Sequence, residues 1–265
     1  MNTPANRIET LQPLSSDMSW QRVLAAYLQE IRAECLRYLR SPSFMVPTLL
    51  FPATFYLLFA VVLGRSQPAD AARFLLGSYA TFGVMAPGMF GFGIALAQER
   101  ENGLLTLKRA LPMPPLAYLL GKMVMAMMSA LAIVCLLQLL GSLVAGVQLS
   151  ALQVTRLTLT ATLGSLPFCA LGLLLGTVVK GSGAPAVVNL VYLPMAVLSG
   201  LWFPLKVLPP LLRDLAGIWP SHHLNMLAQG AVGFDTGAAW PHVLWLAVFT
   251  VVTTALAAWR LRGHG

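Results

Sequence analysis

Residues 97–122, AQERENGLLTLKRALPMPPLAYLLGK, concentrate charge between two long apolar runs. Such side chains form ion pairs and hydrogen bonds with other proteins. On a helical wheel, Leu104, Leu107 and Leu111 form one apolar stripe, whereas Leu105 lies among the charges. The pattern predicts a short helix whose stripe packs on the protein and whose charged face meets a soluble partner. A solvated hairpin with a helical tip is the alternative. The charged residues are Glu99, Arg100, Glu101, Lys108, Arg109 and Lys122.

The chemistry that the sequence lacks narrows the functional classes. No G-x-x-x-x-G-K-[ST] motif for nucleotide phosphates occurs, so no ATPase site is predicted in this chain. Neither an H-E-x-x-H zinc motif nor a G-x-S-x-G nucleophile motif is present. His222 and His223 are adjacent and diverge on a helix, which makes them a poor pair of metal ligands. We therefore expect no catalytic residue, no metal site and no cofactor in this chain.

The composition indicates a membrane protein. The chain has 265 residues, of which 57% are hydrophobic and 10% are charged. A soluble domain carries about 25% charged residues, so this chain could not cover its surface with polar side chains in water. The net charge of +8 comes from basic residues that flank apolar runs. We therefore assign that charge to orientation in a membrane and expect no nucleic-acid partner.

Six apolar runs reach the roughly 20 residues that a spanning helix needs. Of the 17 Lys and Arg residues, 12 fall on the inner side and 5 on the outer side if both termini are cytoplasmic. The excess of basic residues inside supports that orientation, and an even number of spans agrees with it. The sequence thus predicts an all-α integral membrane protein. The predicted spans are 44–63, 74–97, 118–145, 155–179, 184–203 and 241–259, within a permease domain over 44–262.

Two further segments flank or interrupt these runs. Residues 19–43 show helical spacing of apolar positions, with arginines spread over the rest, which predicts an amphipathic helix at the inner membrane face. We expect residues 1–18 to be a disordered tail. Residues 198–230 are apolar but are interrupted by four prolines, so we expect short re-entrant or extracellular helices between spans five and six.

Ion-driven transport has little support in the sequence. None of the nine acidic residues lies in the middle of a predicted span, where a proton relay would place one. Broken helices can nevertheless bind ions through backbone carbonyls. A secondary transporter or channel therefore stays open as an alternative of a different class.

Three motifs resemble those of the type 2 ABC transporter permeases, the membrane subunits of many bacterial exporters. The first is close to E-x-E-x-G-T-L-x-x-L-x-x-x-P followed by a lysine, although Leu104 replaces the threonine. The second follows the S-G-x-x-F/W-P…L-P element, and the third follows P-x-H. The likeness covers residues 19–262. The matching residues are Glu99, Glu101, Gly103, Leu105, a proline of 112–115 and Lys122; then Ser199, Gly200, Phe203, Pro204, Leu208 and Pro209; then Pro220, Ser221 and His222.

The resemblance implies a coupling helix over 99–111 that sits in a groove of a separate P-loop ATPase subunit. Two permease chains would form a homodimer in the lipid of a bacterial inner membrane, with two copies of the ATPase. ATP and Mg would bind to the ATPase, and this chain would be no enzyme. The residues implied in coupling are Glu99, Arg100, Glu101, Gly103, Leu105, Lys108 and Arg109.

The resemblance also places the substrate path at the permease–permease interface, formed largely by the second and fifth spans. The path is mostly apolar, so a hydrophobic drug, lipid or peptide is the expected cargo. Export of a polysaccharide, a lipid-linked glycan or an ion stays open, as does a heteromeric dimer. The path residues on this reading are Asn189, Tyr192, Met195, Ser199 and Phe203.

Overall fold

The computed structural model describes residues 20–62, 69–104, 107 and 114–263, and every regular element in that part of the chain is helical. The predicted tail over 1–18 lies outside the described residues. The longer helices are α1 Trp20–Leu39, α2 Pro42–Leu57, α3 Ala69–Gly88, α4 Ala95–Glu101, α5 Pro115–Leu143, α6 Ala151–Leu163, α7 Leu166–Val178, α8 Ala184–Leu198, α9 Pro210–Leu215, α10 Pro220–Ala231 and α11 Trp240–Gly263.

Five helical segments in the described residues are long and apolar enough to cross a membrane. They correspond to the predicted spans one, two, three, four and six, and we keep those names. The predicted fifth span is shorter than expected, because α8 ends at Leu198 rather than at residue 203. Its 15 residues would rise about 22 Å, less than the hydrocarbon core of a bilayer. The five segments are Pro42–Val62, Asp70–Glu101, Leu116–Leu143, Ala151–Val178 and Trp240–Leu261.

The second span is the central helix of the bundle. Of its most apolar window, 78% is buried inside the protein, against 17% for the last span. Tyr79 and Phe82 of this span are fully buried and pack against Tyr56 of the first span and Tyr192 of α8. The second span thus contacts most of the other helices, so a movement of this span would displace them too.

Glycines let the second and fourth spans approach backbone to backbone. A Cβ on Gly172 would lie 2.5 Å from the carbonyl oxygen of Gly88, and one on Gly176 would lie 2.9 Å from that of Gly93. A Cβ on Gly88 would lie 2.7 Å from the backbone nitrogen of Cys169. This small-residue contact between helices is typical of membrane proteins, where close packing replaces the hydrophobic effect.

The broken segment after α8 starts at a glycine turn. Gly200 has φ +76, and the backbone bonds Gly200 N–H to Val197 O and Leu201 N–H to Ala196 O end the helix there. Pro210 and Pro220 then lie in the first turns of α9 and α10, where a missing N–H is tolerated. The structure thus has short helices between α8 and the last span, while their position relative to the membrane stays a prediction.

Helix α1 packs along the first half of the third span. The Tyr38 hydroxyl lies 2.7 Å from the Ser129 hydroxyl, and the Cys35 thiol lies 3.3 Å from the sulfur of Met128. Nearer its start, Trp20, Leu24 and Leu28 are exposed by 77%, 49% and 58%. The helix thus packs on the bundle with its second half and leaves apolar surface free in its first, while its position at a membrane surface stays a prediction.

Candidate coupling site

Arg100 and Glu101 hold the end of the second span against the connection between α7 and α8. The Arg100 guanidinium donates to the carbonyl oxygens of Thr177 and Val179, the latter at 2.9 Å. The Glu101 carboxylate accepts from the backbone N–H of Ser182 at 3.0 Å. A cation therefore meets the carbonyl end of α7, and an anion lies near the amino end of α8, which is the favourable polarity for both helices. We call this end of the bundle the inner end, following the predicted orientation, and the opposite end the outer end.

Gly181 permits this contact. A Cβ at residue 181 would lie 2.5 Å from the Glu101 carboxylate and 2.8 Å from Cα of Gln98. The connection between α7 and α8 therefore lies directly on the end of the second span, and a larger residue would separate the two.

Glu99 faces the other way, into a group of charges that we call the ion cluster: Glu34 and Arg37 of α1, Glu99 of the second span, and Tyr118 and Lys122 at the start of the third. The Glu99 carboxylate accepts from Arg37 at 2.8 Å, from Lys122 at 3.3 Å and from the Tyr118 hydroxyl at 2.6 Å. Glu34 accepts from Lys122 at 3.3 Å and from Arg37 at 3.1 Å.

The ion cluster is buried, so it joins α1, the second span and the third span inside the protein and is not a surface patch. Lys122 is 1% exposed, Glu34 is 2% exposed and Glu99 is 7% exposed. Two carboxylates and two cations balance each other, which is the condition for charges to be buried without a severe desolvation penalty. Three consecutive residues, Glu99, Arg100 and Glu101, thus connect one point of the chain to α1, the third span, α7 and the connection between α7 and α8.

The second span contains a π-helical stretch, Met89–Ile94, one turn before these three residues. Such wider turns are uncommon and are frequent at functional sites. The stretch coincides with the glycine contact to the fourth span, because Gly93 packs on Gly172 and Val188. The π-helical stretch therefore joins the α-helical end of the second span, Ala95–Glu101, to its buried α-helical part, Ala69–Gly88.

The predicted coupling helix is interrupted. The helix of the second span ends at Glu101, and Gly103 adopts φ +72, after which Leu107 N–H bonds to Gly103 O. A helical wheel counted from Glu101 is therefore not valid beyond Gly103. The apolar stripe was wrong for its two described members, since Leu104 and Leu107 are 44% and 61% exposed instead of packing on the spans. Leu105, Lys108, Arg109 and Leu111 lie outside the described residues.

The ion cluster contains three residues that the sequence analysis missed: Glu34, Arg37 and Tyr118. The helical spacing of residues 19–43 distinguishes polar from apolar positions, and it does not indicate which of the charged residues pair with distant ones. The sequence did indicate that such a partner exists. Lys122 lies at the start of a long apolar run, and a cation in that position is normally paired with a carboxylate nearby.

The five predicted path residues lie in different surroundings. Asn189 is exposed on α8, and its amide donates to Pro185 O at 3.1 Å. Tyr192 is buried and donates to Phe82 O at 3.0 Å. Met195 and Ser199 are fully buried, with the Ser199 hydroxyl against that of Ser221. Phe203 is 48% exposed, so only Asn189 and Phe203 of the five present substantial surface.

Comparison with known proteins gives the context for this geometry. Residues 26–232 match the family model described as ABC-2 type transporter. The chain is also 28% identical over 235 residues to a Bacillus subtilis (strain 168) protein named "Putative transport permease YvfS", and the alignment covers 87% of this chain and 94% of that protein. Permeases of this family are transport subunits rather than enzymes and normally work with an ATPase partner. The chain therefore belongs to the ABC-2 type transporter family, as a membrane-embedded transport permease.

Proposed function

We propose that the chain is the membrane subunit of an ATP-driven exporter in a bacterial inner membrane, with both termini cytoplasmic. It works as a homodimer with six spans per chain, α8 being the fifth, and residues 99–111 bind a separate ATPase present in two copies. ATP and Mg belong to that partner. The observation that carries the proposal is the set of contacts of Glu99, Arg100 and Glu101, which connect the proposed docking segment to three other helices and to the connection between α7 and α8.

These contacts supply a route for mechanical coupling. When ATP closes the ATPase dimer, the segment after Gly103 moves with the ATPase surface to which it is bound. Arg100 and Glu101 pass that displacement to α7 and α8, and Glu99 passes it to α1 and the third span. The bundle then rocks against its copy and changes from inward-facing to outward-facing. The side chains of Leu104 and Leu107 are exposed and supply apolar surface that fits the ATPase groove. A few residues that fill such pockets carry most of the binding energy of an interface.

Mutations can separate the binding of the ATPase from the transfer of its movement to the bundle. Glu101→Arg with Leu105→Asp is expected to abolish co-purification with the ATPase and to lower transport at least about tenfold, with normal membrane insertion. Glu101→Gln alone weakens the contact to Ser182, so it is expected to lower transport while the ATPase still co-purifies. The measurements are pull-down of a co-expressed P-loop ATPase from the same gene neighbourhood and ATP-dependent transport in proteoliposomes.

A matched control exists at the outer end. Asp214 is exposed and Leu211 is 73% exposed, so Asp214→Arg with Leu211→Asp repeats the same change of charge and polarity far from residues 99–101. This control is expected to retain the ATPase and transport. If the inner double variant also retains both, residues 99–111 do not dock an ATPase.

The homodimer has a direct test on α8. One side of this helix is exposed, including Asn189 and Leu190, the latter by 73%, although the helix lies on a buried core. In a variant without the three native cysteines, Asn189→Cys is expected to form a disulfide-linked dimer on mild oxidation in the membrane. Val251→Cys, at a position 68% exposed on the last span, is the control and is expected to stay monomeric. Dimers from Val251→Cys alone would place the interface elsewhere.

A further inference from the structure

A large cavity lies at the outer end, apart from the coupling site, and Phe203 is the one predicted path residue among its described lining residues. Its volume is about 940 Å³, which is within the range of small-molecule sites. The first and second spans, the chain after α8 and α10 with the turn that follows it all contribute to its wall. Five aromatic rings line it, namely Phe59, Phe74, Trp202, Phe203 and Phe234.

Polar atoms without a partner lie among these rings. Gln229 is 3% exposed, and its amide nitrogen donates to Phe74 O at 2.9 Å and to the Ser78 hydroxyl at 3.0 Å. Its amide oxygen, Nε1 of Trp202 and Nδ1 of His222 are buried and have no hydrogen-bond partner among the residues that the structure describes. Buried polar groups in proteins are nearly always paired. These three atoms do not reach the cavity surface in this conformation, but they belong to residues of its wall, so a turn of the Gln229, Trp202 or His222 side chain would offer a donor or an acceptor to a ligand.

The charges of the described lining residues indicate that the ligand is uncharged. The only two charged residues among the described lining residues, Lys206 and Asp235, are of opposite sign and both exposed. Burial, followed by repulsion from His223 and His242, lowers the pKa of His222 to about 4, so this imidazole is neutral at pH 7. An ion would lose its hydration there without gaining a buried counter-charge, which costs several kcal/mol.

We propose that this outer cavity binds an uncharged amphipathic organic molecule, with its apolar part against the aromatic wall. Its polar groups hydrogen-bond to Gln229 and Trp202, whose side chains turn toward the cavity when the molecule binds. The proposal rests on the proposed function in one respect, namely that such molecules are the cargo and occupy the cavity before release on the outer side. Binding itself needs only the permease and is measurable without an ATPase.

The test is photolabelling of the purified permease in lipid nanodiscs with three probes that differ in charge. They share a trifluoromethyl-aryldiazirine and carry a benzyl alcohol, a benzoate or a benzylammonium group. The neutral alcohol is expected to label peptides that cover 200–206 and 222–236, and excess non-photoreactive alcohol should suppress that labelling. The two ions are expected to label these peptides about tenfold less, equivalent to about 1.4 kcal/mol.

Two variants locate the site. Ala71→Phe fills the cavity without touching the hydrogen bonds of Gln229, and Gln229→Leu removes the open amide oxygen. Both are expected to lose the saturable labelling, and Ala71→Phe keeps the test valid if Gln229→Leu fails to fold. Ala258→Phe makes the same substitution at an exposed position of the last span and is expected to label like the parent protein.

Several results would overturn the inference: unchanged labelling of Ala71→Phe, equal saturable labelling by all three probes, or insertion only into lipid-facing helices without saturation. The proposed function fails independently. Saturable labelling of the cavity without ATP-driven transport of the alcohol would refute such molecules as cargo, whereas transport without labelling would refute the cavity site. The exporter itself is refuted by the variants of residues 99–111, if they retain the ATPase and transport.

Discussion

Lys122→Met is expected to lower the free energy of unfolding by about 3 to 5 kcal/mol, the largest effect of any single charge-removing change that we predict. Lys122 is 1% exposed and lies 3.3 Å from the carboxylates of both Glu34 and Glu99. Its removal leaves two buried carboxylates with Arg37, whose side chain is 52% exposed, as the remaining cation of the cluster. Reversible denaturation of the purified protein, followed by tryptophan fluorescence, measures the change.

A double-mutant cycle separates this electrostatic effect from the loss of packing. Lys122→Met with Glu34→Gln restores a neutral cluster, so the pair is expected to be clearly more stable than the sum of the two single changes predicts. Lys206→Met removes a lysine that is exposed and is expected to change the unfolding free energy by less than about 0.5 kcal/mol. Additive effects in the cycle would show that the four charges do not act as one unit.

Gly172→Leu is expected to prevent the second and fourth spans from packing and to leave little folded protein in the membrane. Even Gly172→Ala is expected to cost about 2 to 3 kcal/mol, since its Cβ would meet backbone atoms of Gly88 and Met89 that cannot rotate away. Size-exclusion chromatography of a fluorescent fusion measures the folded fraction, and thermal unfolding measures the alanine variant.

Gly217→Ala is the matched control for that prediction. A Cβ at Gly217 has no heavy atom within 4 Å, and its φ is not in the left-handed region. This variant is expected to behave like the parent protein. Folding of Gly172→Leu at the parent level would mean that the spans do not approach as closely as the backbone contacts require.

The sequence predicted the spans well where apolar runs were long and uninterrupted. The fifth was predicted too long, because apolar residues continue past Leu198 while Gly200 turns the chain. Hydropathy measures how apolar a segment is, and it does not detect a helix end formed by a glycine in the left-handed region. The four prolines after residue 203, in contrast, indicated a broken segment, and helices begin at two of them, Pro210 and Pro220, since proline acts directly on the backbone. That these helices are re-entrant or extracellular stays a prediction.

The candidate site was only partly predictable for a related reason. Charge density drew attention to residues 99–101, and all three make specific contacts in the structure. Their partners, among them Glu34 and the backbone of Val179 and Ser182, are distant in sequence and could be found only from the tertiary packing. Leu104 and Leu107 do not pack on the spans as the wheel predicted, and Gly103, with φ +72, separates them from the helix of the second span.

The order of the ion cluster along the chain has a consequence for biogenesis. Glu34, Arg37 and Glu99 leave the ribosome before Lys122, so the nascent chain first presents two carboxylates and one cation at the membrane surface. Balance is reached only when the third span is inserted, and Lys122 then arrives next to both acids. We therefore expect α1 to complete its charge contacts only after the third span has been inserted, and a chain truncated before residue 122 to retain only the bonds of Arg37 to Glu34 and Glu99.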